Sequence, residues 1–211
     1  DLQAAIFSGS TSFLVQNAAR ADTRGVEIDG RWQLTDHLLL QGSAAYLDFT
    51  YDHFPNQACT NEQFVVFREA AWQFDPAASS FSNQDCAEAE INDVAGQTSE
   101  NNPRWQANVI AQHTQPIGEF ELMSLLALTY QDAQYRQGDL DPILKDEQYV
   151  KVDLSLMFGP ASGRWQLAVI GRNLTDQTTY SYGNDAPFFE GASQVYMDQP
   201  RNYAVRATIR Y

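Results

Sequence analysis

The residues that could carry out chemistry are few, and their spacing narrows what that chemistry can be. Cys59 and Cys86 are the two cysteines of this 211-residue chain, and both fall in one polar stretch between His53 and Pro103. Two thiols can pair with each other or share a metal. Zinc would need two further ligands, and no Cys or His flanks either cysteine at ligand spacing. The three histidines, His37, His53 and His113, fall in a turn, a loop and an alternating segment, and assemble no triad or metal set. There is no Gly-x-Ser-x-Gly elbow. Asp85, Glu88, Glu90 and Asp93 bring carboxylates together without the spacing of a dedicated calcium loop, so they read as a solvated acidic run. Asn173-Leu174-Thr175 matches a glycosylation sequon, but it sits inside a predicted strand and is taken as coincidence. The reading is therefore no enzyme, no metal and no cofactor.

Charge and hydropathy point the same way. The chain carries 27 acidic and 13 Lys or Arg residues, a formal net charge of -14. That balance excludes nucleic acid as a partner, because phosphates call for basic patches. Mean hydropathy is -0.41, and no run approaches the ~18 apolar residues of a membrane-spanning helix. A membrane β-barrel escapes that test, because every second residue of its strands faces water.

The elements that would hold such residues are strands. From Pro200 to the end the chain alternates without a break: Tyr203, Val205, Ala207, Ile209 and Tyr211 against Asn202, Ala204, Arg206, Thr208 and Arg210. Successive strand side chains point to opposite faces, which makes this one strand with an apolar and a cationic face. The same pattern predicts strands at Gly25–Leu34, Leu38–Leu47, Arg104–Thr114, Phe120–Tyr130, Val150–Phe158 and from Trp165 to Gly171, with a short one at Leu2–Phe7. Tight turns are expected at Thr35–His37, Pro116–Gly118 and Gly159–Gly163. Between them lie long polar connections: an irregular one over 53–103, a shorter one over Arg136–Glu147 and one over Ser181–Gln199.

Connections that alternate tight and long are the pattern of an outer-membrane barrel, with short periplasmic turns and longer extracellular loops. With the tight turns placed on one side, Trp32, Phe120, Phe158, Trp165 and Tyr211 form an aromatic ring near that side on the outward face. Tyr46, Trp105, Tyr130 and Tyr203 form a second ring near the other. From Phe120 to Tyr130 the strand climbs about 25 Å after allowing for tilt, which matches the apolar band of such barrels. The expected fold is an all-β, antiparallel transmembrane β-barrel of about eight strands, in contact with outer-membrane lipid. The inward face then carries Glu27, Asp29, Arg31, Lys151, Asp153, Arg172, Arg206 and Arg210 as lumen-facing charges. Cys59 and Cys86, exposed to an oxidising exterior, are expected to form a disulfide.

A resemblance to a known family enters at the last strands. Arg172-Asn173-Leu174-Thr175-Asp176-Gln177 with Tyr180 resembles the Asn-Leu-Phe-Asp-Lys-x-Tyr signature of TonB-dependent outer-membrane transporters, Thr175 and Gln177 departing from it. Ala21-Asp22-Thr23-Arg24-Gly25-Val26-Glu27 resembles that family's Ala-x-Ser-x-Gly-Val-Glu segment, and Asn102-Pro103-Arg104-Trp105 its strand-opening Pro-x-Trp. The resemblance implies the C-terminal portion of a barrel of about 22 strands, in the bacterial outer membrane with its loops extracellular. It implies as partners the upstream barrel and plug, TonB acting through the N-terminal part, and a small nutrient ligand such as a ferric siderophore or an oligosaccharide. Phe64, Phe67, Trp72, Tyr135, Tyr182, Phe188 and Phe189 are the loop aromatics expected to stack on that ligand. The alternative is a small self-closed barrel with a structural or binding role. That would need a ladder between Leu2–Phe7 and the terminal strand, whose lengths and alternation do not match.

Overall fold

The computed structural model describes residues 2–8, 12–18, 20–74, 83–186, 189 and 191–210; for 2–8, 12–18, 72–74, 83 and 84 it describes the backbone alone. Strands dominate. β1 (Leu2–Ser8) and β2 (Ser12–Ala18) pair with each other as a hairpin. β3 (Arg20–Thr35) and β4 (Leu38–His53) are followed by two helices, α1 (Asn61–Phe74) and α2 (Asn83–Glu88). β5 (Trp105–Ile117) and β6 (Phe120–Gln131) come next, then the short pair β7 (Gln134–Tyr135) and β8 (Lys145–Asp146) around a 3-10 turn at Pro142–Leu144. β9 (Tyr149–Pro160) and β10 (Trp165–Arg172) precede a hairpin of β11 (Tyr180–Asp185) and β12 (Ser193–Met197), and β13 (Asn202–Ile209) is last.

Seven of these strands make one antiparallel sheet in the order β13-β10-β9-β6-β5-β4-β3. Among the described residues no ladder joins β1 to β13, so the sheet is open at both edges, as part of a barrel wall is. The expected strands are present, and several run further. β3 starts at Arg20 and β4 continues to His53, while β5 carries on through Pro116 and Ile117, so that the turn is Gly118-Glu119. The pairing register sorts the faces row by row. Gly30, Gly42, Val109, Leu128 and Val152 are aligned across five strands, and Ser124, Leu156, Val169 and Val205 across four. On the opposite face Asp29, Ser43, Asn108, Thr129 and Lys151 form a polar row. Because the side-chain period is two, a one-residue slip would exchange the two faces throughout.

The connections are sorted by end. Tight turns join β3 to β4, β5 to β6 and β9 to β10; the long connections all lie at the other end. They are not the irregular loops that their composition predicts. The first contains α1, which opens on a reciprocal cap: Thr60 Oγ1 accepts from the Gln63 amide at 3.2 Å, and Gln63 Oε1 accepts from the Thr60 amide at 3.0 Å. The third is a β-hairpin. Much of the buried core lies here rather than in the sheet. Tyr51, Phe54, Ala58, Val94 and Leu140 pack together with Tyr135 at their margin. A single sheet leaves both faces open, whereas folded connections can bury side chains among themselves.

Candidate functional site

The apolar face ends in aromatic clusters. At the tight-turn end Phe120 stacks on Phe158 with centroids 5.3 Å apart, and Trp165 lies 6.1 and 6.0 Å from them. Trp32 is on the same face, at the β3 side. At the long-connection end Tyr46 and Trp105 meet at 4.7 Å, with Tyr130 and Tyr203 on the same face. Tyr211 lies outside the described residues. Between the clusters the apolar side chains stand open: Val26 and Ile28 are each 69% exposed and Val205 is 72% exposed.

The polar face holds the predicted charges, in two groups. Glu27 and Asp29 line a shallow concavity with Ser43, Gln106, Asn108, Thr129 and Gln131. Arg31, Arg172, Arg206 and Arg210 lie on this face too, and among the described residues none of the four forms an ion pair. Lys151 and Asp153, by contrast, are engaged by the last connection. Lys151 Nζ donates to Thr179 Oγ1 at 2.6 Å and to Asp198 Oδ2 at 2.9 Å. Asp153 Oδ1 accepts from the Asn173 amide at 2.8 Å. Burial alone would raise the Asp198 carboxyl. The hydrogen bonds from Thr179 and Lys151, with the nearby charges of Lys151 and Arg136, hold it below the usual carboxylate range.

The Asn173-Leu174-Thr175-Asp176 motif is a buckle at the end of β10. Asn173 is 4% exposed and has φ 49°, a left-handed conformation that Asn tolerates better than most residues. Its Nδ2 donates to the Gln177 carbonyl at 2.8 Å, and its Oδ1 accepts from the Gln177 amide at 2.9 Å. Leu174 folds back over Gly171, where a Cβ would come within 2.8 Å of Leu174 Cδ2. Asp176 pairs with Arg201 at 3.0 Å, drawing the start of β13 towards the motif.

The long connections are joined to one another at two buried nodes. In the first, Arg136 donates through Nε to Asp146 Oδ2 at 2.9 Å and through Nη1 to Asn101 Oδ1 at 3.2 Å, while the Tyr180 amide donates to Asp146 Oδ1 at 3.1 Å. In the second, one carboxylate oxygen from each of Asp139, Asp141 and Asp185 lies within 4.8 Å of the others. Burial, then the charge of Asp185, pushes the Asp139 carboxyl up to about 8. Asp185 is raised by burial and by Asp141, against hydrogen bonds from Gln137, Asn61 and Ser193. Sequence reading missed this cluster, because 44 residues separate Asp141 from Asp185. The acidic run it did single out, Asp85, Glu88, Glu90 and Asp93, is exposed.

The cysteines form the Cys59–Cys86 disulfide, with Cα atoms 6.1 Å apart. Phe64 is buried against it and Phe67 packs on the same cluster. Tyr135 packs on the Tyr51 core, with Lys145 Nζ 5.9 Å from its ring centre. Tyr182 is exposed beside Tyr196, and Phe189 is 70% exposed. Phe188 and the Trp72 side chain lie outside the described residues.

The family model described as "TonB dependent receptor-like, beta-barrel" matches residues 1–175. Among solved structures, the ferric yersiniabactin uptake receptor FyuA from Yersinia pestis is similar over 93% of this chain, with TM-score 0.64 and 18% identity. The siderophore receptor PiuA from Acinetobacter baumannii is similar over 96%, with TM-score 0.59 and 14% identity. BauA, the ferric preacinetobactin receptor of the same organism, is similar over 97%, with TM-score 0.56 and 13% identity. At these identities the likeness is one of fold. The matched region covers 24%, 23% and 25% of those three chains respectively, so this chain spans about a quarter of their length. A comparison with curated proteins finds no match.

Proposed function

Because the chain belongs to the TonB-dependent receptor-like β-barrel family, we propose that it forms the C-terminal part of the barrel wall of a bacterial outer-membrane transporter that takes up a scarce nutrient, with a ferric siderophore as the leading substrate class. The observation that carries this is the two-faced open sheet. Its apolar rows stand exposed between aromatic clusters, the arrangement a lipid-facing wall requires. Its opposite face is polar, with Arg31, Arg172, Arg206 and Arg210 free to meet plug carboxylates or line a water-filled path. The long connections face outward from the cell, where Tyr182, Tyr196 and Phe189 offer open aromatic rings to a ligand. The plug and the contact with TonB come from other parts of the receptor. The three receptors of similar fold are named as a ferric yersiniabactin uptake receptor, a ferric preacinetobactin receptor and a siderophore receptor, which favours that class over oligosaccharides.

The test is uptake of radioactive iron by a strain lacking the gene, grown under iron limitation and supplied with a panel of siderophores. Loss of uptake for one siderophore, restored by the gene, is the expected result. Uptake unchanged across the panel would remove ferric siderophores as the substrate class and move the search to oligosaccharides.

A further inference from the structure

The second buried node has a feature that its hydrogen bonds do not explain. Asp139 is 3% exposed, and among the described residues its Oδ2 has no hydrogen-bond partner. Its Oδ1 accepts from the Asp141 amide at 3.1 Å. A buried carboxylate oxygen without a donor is costly, and here carboxylate oxygens of Asp141 and Asp185 lie within 4.8 Å of one of the two Asp139 oxygens. Asp141 Oδ1 accepts from the Ile143 amide at 2.9 Å, and its Oδ2 from the Asn61 amide at 3.2 Å. Asp185 Oδ1 accepts from Asn61 Nδ2 at 2.7 Å, and its Oδ2 from Gln137 Nε2 at 3.0 Å. Neutral amides therefore surround the cluster, and among the described residues no Lys or Arg is paired with any of the three carboxylates.

We propose that Asp139, Asp141 and Asp185 hold a divalent cation, calcium by the chemistry of its donors, which staples the three long connections together. The donors are hard oxygens with no His or Cys among them, a set that suits calcium or magnesium and not zinc or copper. Calcium binds oxygens at roughly 2.3–2.6 Å, so two ligands across the ion lie about 4.8 Å apart. The three carboxylate oxygens are gathered within that span. Magnesium is smaller and keeps more of its water, which makes a close cluster of carboxylates the less natural host. The ion would also neutralise charge that folding otherwise leaves unbalanced in a buried place.

The consequence is mechanical. Asp139 and Asp141 belong to the connection after β6, Asp185 ends β11, and Asn61 begins α1 in the connection after β4. One ion thus joins the second and third connections directly, and the first through the hydrogen bonds that Asn61 donates to Asp141 and Asp185. The inference relies on the transport reading only for the source of the ion, the external medium.

Binding is measured on the full protein in detergent, stripped with a chelator and titrated calorimetrically with calcium chloride alone. The expected result is one saturable site in the range of extracellular modules, about 10⁻⁴–10⁻³ M. Asp139→Asn and Asp185→Asn each weaken it by about tenfold or more, while Asp93→Asn, at an exposed position, leaves it unchanged. Calcium also slows proteolysis within 54–104 and 132–148 in the parent protein and not in the two cluster variants. Absence of calcium binding by the parent protein at several millimolar would overturn the proposal, leaving Asp139 to keep a proton instead. So would equal binding by properly folded Asp185→Asn. Calcium binding without siderophore uptake would leave this inference standing and the transport reading failed.

Discussion

Asp153 on β9 accepts a hydrogen bond at 2.8 Å from the backbone amide of Asn173, the first residue beyond β10. This bond fastens the family-like motif to the barrel wall. Asp153 is a predicted polar-face charge and Asn173 a motif residue, and each accounts for the other. This polar-face carboxylate is spent on holding a turn whose backbone has a positive φ. Replacing Asn173 by Ala removes the amide that bridges Gln177 and puts a Cβ-bearing residue with no local hydrogen bond at φ 49°. The expected cost is about 2–3 kcal/mol. Asn173→Gly relieves the backbone and should lose less. Urea unfolding in lipid vesicles separates the two; equal losses would show that backbone conformation is not a factor.

Val205→Arg places a charge on the apolar face at the β13 end of the row Ser124, Leu156, Val169, Val205. If that row meets lipid, stability in the membrane falls by about 2–4 kcal/mol. Unfolding from vesicles reads this directly. Arg206→Ala, one residue along on the polar face, should change it little.

Cys59 and Cys86 are 27 positions apart. In the chain-entropy model a loop of that size contributes ~3–4 kcal/mol. Intact mass without reductant should show no alkylatable thiol. Cys59→Ser with Cys86→Ser should release α1 and α2 to protease while the sheet persists, because the disulfide and Phe64 form a cluster of their own.

Asp198 links pH to the last connection. Its folded value lies below the unfolded one, so its contribution is present above the unfolded value near 4 and is lost as pH falls through the folded value. Hydrogen exchange of 173–201 should accelerate in that acid window in the parent protein. In Asp198→Asn the exchange should be faster at neutral pH and show no such step.

Sequence alone determined the wall. Strand alternation has a period of two residues, so each strand declares its faces locally, and aligned rows such as Gly30, Gly42, Val109, Leu128 and Val152 follow once the tight turns fix the register. The aromatic ends of the apolar face were legible for the same reason. The cap of α1 was written locally too, in Thr60 and Gln63, yet a polar composition masked it. Tertiary structure alone decided what the long connections build. Asn61, Asp139, Asp141 and Asp185 come from three separate connections with no period relating them. Phe64, which reads as an open loop aromatic, is buried because a disulfide closes over it. Such contacts are set by which loops the sheet brings to the same end, and that depends on the order of strands rather than on any local run of residues.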